Sequence, residues 1–425
     1  MTVRLPGRSL ALLPVAIVAG AAIVVVLLLS GGGGGEEALS AREEAQLERA
    51  APGISAQGRG ATLPVPVAAR EAAASLPLPR AVAQLFVVGT DAQSPEDPFL
   101  ARMRARGWGG VVLAPGNVAD PRAARALADE LGAVARRARH VRPLVAAEQS
   151  GGPASTFPDL PPRAQPLAGD RSTPAAVRSD ARAAGRALRR LGVRMALAPV
   201  ADVGVAAGPL QDRVFSDDAR VVARLTAAAV EGWRAGGVAP AVGHFPGQGS
   251  ASEDPDVANA TVGFSAAELR ARDLRPFAAV ARSAPAIVLS NAVYAAWDGV
   301  TPATALPEAT ALLRRGLRYR GAVMTADLRA TAPVLGTGVG TAAVRALEAG
   351  ADMLYVTGTA RQQEAAYRAV LEAVRDKRIS GARLRLSVQR VMALKRSAGL
   401  LPTRRASGPA PPDRPLSARG RFNAR

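Results

Sequence analysis

The sequence predicts an α/β protein, a (β/α)8 TIM barrel preceded by one transmembrane helix. Three observations carry that prediction. Eight short apolar runs recur along the chain, separated by Ala/Leu/Arg stretches of helical period. The length of 425 residues accommodates one barrel of about 250 residues or more, with flanking segments to spare. A single long apolar run stands near the N-terminus.

Taken in order, residues 1–8 contain Arg4 and Arg8 and are expected on the cytoplasmic side of a membrane. Residues 9–30 form an almost unbroken apolar run, enough for a helix to cross a bilayer core of about 30 Å. A cleaved signal peptide is the competing reading, but its apolar region is normally about 7–15 residues, shorter than this one. Glu36, Glu37, Glu43 and Glu44 follow, so the positive-inside rule places the remaining chain outside the cytoplasm. Gly31 to Gly35 open a linker or stalk over 31–76, and residues 403–425 read as a disordered basic tail. The barrel itself is assigned to 77–402.

The strand candidates are Gln84–Gly89, Gly110–Ala114, Pro143–Gln149, Met195–Asp202, Ala239–Phe245, Ala286–Asn291, Ala322–Asp327 and Met353–Val356. Between them, Leu127, Leu131 and Val134 fall on one helical face. Pro174 and Gly192 bracket another helix in the usual proline-first, glycine-last sense. An open doubly wound sheet is the alternative architecture. It has no need of eight strands, and no Gly-x-Gly-x-x-Gly follows the first of them.

Composition narrows the functions. Hydrophobic residues make up 48% of the chain, too many for a wholly disordered protein, while aromatics at 4% leave Ala, Val and Leu to build the core. Cysteine is absent, which excludes disulfides, thiol nucleophiles and cysteine zinc sites. With two histidines, a three-histidine metal site is excluded too. No metal and no nucleotide, flavin or other cofactor is implied. The net charge of +19 comes from arginines scattered through helices and gathered in the tail, without a nucleic-acid-binding signature. It reads as a solvated surface suited to anionic wall polymers or lipid headgroups, with no nucleic-acid partner.

In a barrel of this type, functional side chains come from the C-terminal strand ends and the loops after them. Those ends supply Glu148, Asp202, His244, Asn291 and Asp327. The loop from His244 runs Phe-Pro-Gly-Gln-Gly249, then reaches Glu253, Asp254 and Asp256. A histidine, a glycine turn that admits a ligand to the backbone, and three acids make a polar site. A lone histidine held by one hydrogen bond is the structural reading of His244.

These residues carry a family resemblance. Gln84-Leu-Phe-Val-Val-Gly and Gly109-Gly-Val-Val-Leu resemble the opening strands of family 3 glycoside hydrolases, specifically the single-domain bacterial β-N-acetylglucosaminidases (β-N-acetylhexosaminidases). Ala198-Pro-Val-Ala-Asp-Val203, Asp212-Arg-Val-Phe-Ser, His244-Phe-Pro-Gly-Gln-Gly and Ala343-Val-Arg-Ala-Leu-Glu-Ala-Gly-Ala-Asp-Met353 resemble later motifs of that family, in order. The resemblance implies a retaining hydrolase in which a carboxylate attacks the anomeric carbon and a second group protonates the leaving oxygen.

At the implied catalytic positions the chain departs from the family. The nucleophile is the first Asp of a Ser/Thr-Asp-x-Leu motif; the matching segment Thr325-Ala326-Asp327-Leu328 places Ala326 there. Asp327 is the next residue, and adjacent strand residues face opposite sides unless a bulge intervenes. Asp327 is otherwise read as the N-cap of the following helix. The family's proton-transferring Asp-Ser-His becomes Asp254-Pro255-Asp256, so Asp256 stands at the histidine position. A carboxylic acid can serve there if its pKa is raised, and an exposed acidic loop is the plainer reading. Arg213 and His244 match sugar-holding residues, Glu148 replaces a sugar-binding Asp, and Asn291 replaces a usual His. Gly243 and Pro153 stand where the family has a Lys and an Arg.

The expected function is therefore a membrane-anchored, single-pass, extracytoplasmic β-N-acetylhexosaminidase-like barrel with impaired hydrolysis. Its expected partner is cell-wall glycan or another N-acetylglucosamine-containing saccharide. Two alternatives stand beside it: an active β-N-acetylhexosaminidase using Asp327 and Asp256 in shifted roles, and a scaffold barrel without a sugar site.

Overall fold

Eight parallel strands close into a barrel in chain order, and all eight lie where the apolar runs place them. They are β1 (Phe86–Gly89), β2 (Gly110–Leu113), β3 (Leu144–Glu148), β4 (Met195–Val200), β5 (Ala239–Phe245), β6 (Ala286–Leu289), β7 (Ala322–Asp327) and β8 (Met353–Val356). β8 closes on β1 with Phe86 opposite Leu354. The chain is seen here in a computed structural model that describes residues 65–90, 97–117, 121–153 and 155–401.

Strands buried on both sides read as continuous apolar runs, because helices cover the outside and side chains fill the inside. Short side chains dominate that filling: β3 contributes Ala146 and Ala147, β4 contributes Ala196 and Ala198, and all four are buried. Larger residues cluster under the barrel wall, where the rings of Phe86, Trp108 and Tyr367 pack within about 6 Å of one another.

Several helices start where short polar side chains cap them. Asp97 accepts from the Phe99 amide, Thr173 from Ala176, Asp218 from Arg220, and Thr359 from Gln362. Several end on arginine. The last turns of Pro98–Arg106, Pro121–Arg137, Pro174–Arg190, Ala219–Ala235, Val339–Glu348 and Ala360–Arg375 all carry at least one. A cation there complements the exposed carbonyls of a helix C-terminus.

One boundary differs from the sequence reading. The helix Val67–Ala74 falls inside the segment assigned as stalk, yet it packs against the final helix, Gly381–Ser397. Its Ala69 and Ala73, four residues apart, form the buried face that the spacer-like composition concealed. The folded body therefore begins before Pro77. The N-terminal segment 1–8, the apolar run 9–30, the glycine linker at 31–35 and the tail 403–425 lie outside the described residues. Among the described residues, no helix is long and apolar enough to cross a membrane.

Two buried ionisable side chains fasten the final helix to the barrel. Asp352, just before β8, is fully buried and accepts from Val323 N at 3.0 Å, Ser387 Oγ at 2.8 Å, Arg390 at 3.0 Å and Arg383 at 3.4 Å, and also from Arg314. Burial alone would raise its pKa, but the three guanidinium groups hold it below the usual carboxylate range.

Lys395 is also fully buried, donating to the Gln84 side chain and to the Arg142 carbonyl at 2.9 Å with no acid as partner. Burial pushes its ammonium down to about 7. The unfolded chain then binds more protons than the native one between that value and the ordinary lysine pKa. Stability from this group is complete above about pH 10.5 and is lost as pH falls toward 7, with a slope of at most about 1.4 kcal/mol per unit. Denaturant titrations from pH 7 to 10 are expected to show this rise, and Lys395→Met is expected to flatten it.

Candidate active site

The C-terminal ends of the strands enclose an open cavity of about 350 Å³. That volume is of the size that receives a small molecule. Its wall includes Glu148 from β3, Arg213 after β4, His244 from β5, Asp254 and Asp256 from the following loop, and Ala326 and Asp327 from β7. Six of the seven residues proposed from sequence as catalytic or sugar-binding thus meet in one place.

Irregular strand pairing shapes this mouth. Register slips occur between β4 and β5, between β5 and β6, and between β7 and β8. In the last, Met324 pairs with Met353 but Asp327 pairs with Tyr355, so β7 takes three steps against two. Thr325 fills the gap, its hydroxyl accepting from the Tyr355 amide at 2.9 Å. The extra residue breaks simple alternation, and Ala326 and Asp327 both reach the cavity wall.

Asp327 arrives there fully engaged. One oxygen accepts from the Arg329 amide at 3.1 Å and the Thr357 amide at 3.3 Å; the other accepts from Arg329 Nε at 2.9 Å and from the Thr357 hydroxyl. It caps the helix Leu328–Val334, the role its neighbours in sequence suggest. Four donors stabilise the anion and disperse the electron density a nucleophile would offer.

His244 is oriented from behind. Its Nδ1–H donates to the buried carboxylate of Asp202 at 2.8 Å, leaving Nε2 free of protein partners. Asp202 also accepts from the Gln248 amide at 2.8 Å, which ties the glycine turn to the strand end. Gly249 completes that turn against the β4 loop, where a Cβ would come within 2.0 Å of the Val203 carbonyl. Burial opposes protonation of His244, but the Asp202 charge and hydrogen bond outweigh it and raise the pKa.

The loop acids divide their work. Asp254 forms an ion pair with Arg213, and its other oxygen accepts from the Asp256 amide at 3.1 Å. Asp256 lies on the cavity wall and is itself solvent-exposed, as are Ser252, Glu253 and Val257, so the loop is an exposed acidic one that also borders the mouth. Among the described residues, the Asp256 side chain and that of Glu148 have no hydrogen-bond or ion-pair partner. Both residues are solvent-exposed at the wall of the open cavity. Partial desolvation raises the pKa of each carboxyl; the Asp256 charge raises Glu148 further and the Asp254 charge raises Asp256, against the opposing pull of His244 and Arg213.

Asn291 is the correction. It is buried, its amide donates to the Asp327 carbonyl at 3.1 Å, and its oxygen accepts from Thr331 at 2.6 Å and Thr304 at 3.2 Å. It is absent from the cavity wall and braces the loop after β6 against β7. A polar residue at a strand end looks the same in sequence whether it faces a ligand or its neighbours.

The structure adds Tyr355, Thr357 and Arg329 to the wall. An aromatic at the last strand's end, in a chain so poor in aromatics, was the available signal for Tyr355. Among the described residues, no group of three or more His, Asp or Glu is arranged to hold a metal ion.

Comparison with known proteins gives a consistent set of relatives. The glycosyl hydrolase family 3 N-terminal domain matches residues 78–394. A beta-hexosaminidase of Xanthomonas oryzae pv. oryzae is 30% identical over 307 residues, covering 70% of this chain and 88% of that protein. A family 3 beta-N-acetylglucosaminidase from Paenibacillus sp. str. FPU-7 has a TM-score of 0.71 at 31% identity. That alignment covers 79% of this chain and 65% of the Paenibacillus chain, so slightly less than two thirds of the relative is spanned. A beta-N-acetylhexosaminidase from Beutenbergia cavernae DSM 12333 has a TM-score of 0.69 at 31% identity, covering 76% of this chain and 99% of that one.

Proposed function

The chain belongs to glycosyl hydrolase family 3, and from that premise we propose a beta-hexosaminidase-like barrel that binds an N-acetylglucosamine-containing glycan with impaired hydrolysis. One observation carries the proposal. The position matching the family nucleophile is Ala326, and the neighbouring carboxylate, Asp327, is committed to four donors. A methyl group forms no glycosyl ester, and a retaining mechanism has no first step without one. The rest of the mouth supports binding: His244 presents Nε2 from a fixed ring, and Arg213 lines the same wall.

The setting we infer is extracytoplasmic, with the run at 9–30 as a single membrane anchor and cell-wall glycan as the partner. The length of that run, the arginines before it and the acids after it support this reading.

A second reading has its own observation. The register slip in β7 brings Asp327 to the cavity, which is what a shifted nucleophile requires, and the raised pKa of Asp256 suits a proton donor. Hydrolysis of an aryl N-acetyl-β-glucosaminide by the purified full-length protein separates the two. Turnover at only a trace rate is expected, unchanged within about twofold by Asp327→Asn, while that substitution costs about 1–2 kcal/mol of stability through the weakened cap. Robust turnover abolished by Asp327→Asn in a folded protein would establish the second reading instead.

A further inference from the structure

Among the described residues three acids are fully buried, and their hydrogen bonding is unequal. Asp352 accepts from five donors, and Asp202 from two amides and the His244 ring. Asp273 accepts from Arg272 alone, at 3.3 and 3.4 Å. Those bonds are long, since opposite charges normally meet at about 2.7–2.9 Å. A buried carboxylate so poorly supplied with donors is costly to ionise. Burial pushes its pKa up to about 7, against the pull of Arg272 and with a further push from Asp202.

Asp273 stands where the loops of the mouth converge. Gly247 has a φ of +121°, and a Cβ there would come within 2.6 Å of the Asp273 Cβ, so the turn after His244 rests directly on this residue. Arg272 extends the contact to the β4 loop, donating to the Val203 carbonyl at 3.1 Å and to that of Gly204, the two residues after Asp202. Its guanidinium lies 5.2 Å from the centre of the Phe264 ring, on the return of the segment that bears Asp254 and Asp256. Tyr294, from the loop after β6, donates to the Gly247 carbonyl at 3.0 Å. Neither Arg272 nor Asp273 is part of the cavity wall.

We propose that Asp273 is a proton-controlled positioning residue for His244. Ionised, it holds Arg272, which holds the carbonyls beside Asp202, and the Asp202–His244 pair keeps a fixed bearing on the cavity. Protonated, it leaves the buried part of Arg272 without a counter-charge, the clasp slackens, and the turn that carries His244 gains freedom. The charged and titratable groups around Asp273 are Arg272 beside it, Asp202 from the β4 loop and Tyr294 from the loop after β6. The consequence for saccharide affinity rests on the glycan-binding reading; the positioning of the ring does not.

The test is NMR of the full-length protein with 15N-labelled imidazoles, where two rings report, His244 and His140. His140 precedes β3 at the other end of the barrel, its Nε2 lying 2.8 Å from the Arg104 carbonyl, and serves as the internal reference. At pH 8 the His244 signals of the unsubstituted protein are expected to be sharp and those of Asp273→Asn broadened by exchange, with His140 alike in both. Calorimetry with di-N-acetylchitobiose should then give a Kd about fivefold lower at pH 8 than at pH 6 for the unsubstituted protein, the low end of coupling between distinct sites. Asp273→Asn should bind weakly at both pH values, which differ by no more than about twofold. His244 has a raised pKa of its own, and its ring shifts record that protonation separately. Arg272→Gln cuts the clasp from the other side and gives the same readouts if Asp273→Asn does not fold. Sharp His244 signals and an unaltered pH profile in either folded variant overturn the inference. If His244 responds as expected but no saccharide binds at millimolar concentration, the positioning stands and the glycan-binding reading falls.

Discussion

Ala326→Asp is expected to raise the hydrolysis of nitrophenyl N-acetyl-β-glucosaminide by at least about a hundredfold. Removing a catalytic nucleophile from a competent site costs roughly 10⁴–10⁶ in rate, so a hundredfold is a modest fraction of what its return can supply. The position lines the cavity, so a carboxylate there faces the space a bound sugar would occupy. An aryl leaving group departs without needing a proton, which bypasses the altered acid position at Asp256. Steady-state release of nitrophenolate measures the gain. Mass spectrometry of the quenched reaction should detect a glycosyl ester on the peptide containing residue 326. A folded Ala326→Asp protein with no gain would place the defect elsewhere, at Asp256 or in substrate binding.

Asp352→Asn is expected to destabilise the barrel by about 3–5 kcal/mol. The carboxylate is fully buried among Arg314, Arg383 and Arg390, each itself less than a quarter exposed. Removing one member of a buried ionic group leaves the others uncompensated, which costs far more than the group contributes in net terms. Urea denaturation gives the magnitude. Adding Arg390→Met to Asp352→Asn should recover part of the loss, because two buried cations are less costly than three. A loss below about 1 kcal/mol would mean that solvent reaches the cluster and screens it.

Most of the barrel was legible because strands buried on both sides announce themselves as apolar runs, whatever their partners. Boundaries were less so. Gln84 reads as the start of the first strand, yet it ends a helix and its amide donates to the Gly107 carbonyl at 2.8 Å. Asp202 reads as part of β4 but lies beyond it, where it serves His244. The site was legible where position at a strand end decides the matter, as for Glu148, His244 and Asp327. It was not legible where hydrogen bonds decide. Nothing in the sequence says that Thr304 and Thr331 converge on Asn291, or that Thr325 takes a place in the ladder and lets β7 slip by one residue.

The arginines that end the helices have a consequence for the molecule as a whole. In a parallel barrel every outer helix runs antiparallel to its strand, so all those C-termini gather at the end opposite the mouth. Six helices deliver arginine to that end, while Glu148, Asp254, Asp256 and Asp327 line the other. At the base the arginines answer the partial negative charge of the helix carbonyls, and at the opening Arg213 and Arg329 answer Asp254 and Asp327. Charge at each end is thus balanced by partners a few ångströms away, so neighbouring contacts, more than any field spanning the particle, govern how each acid and arginine behaves.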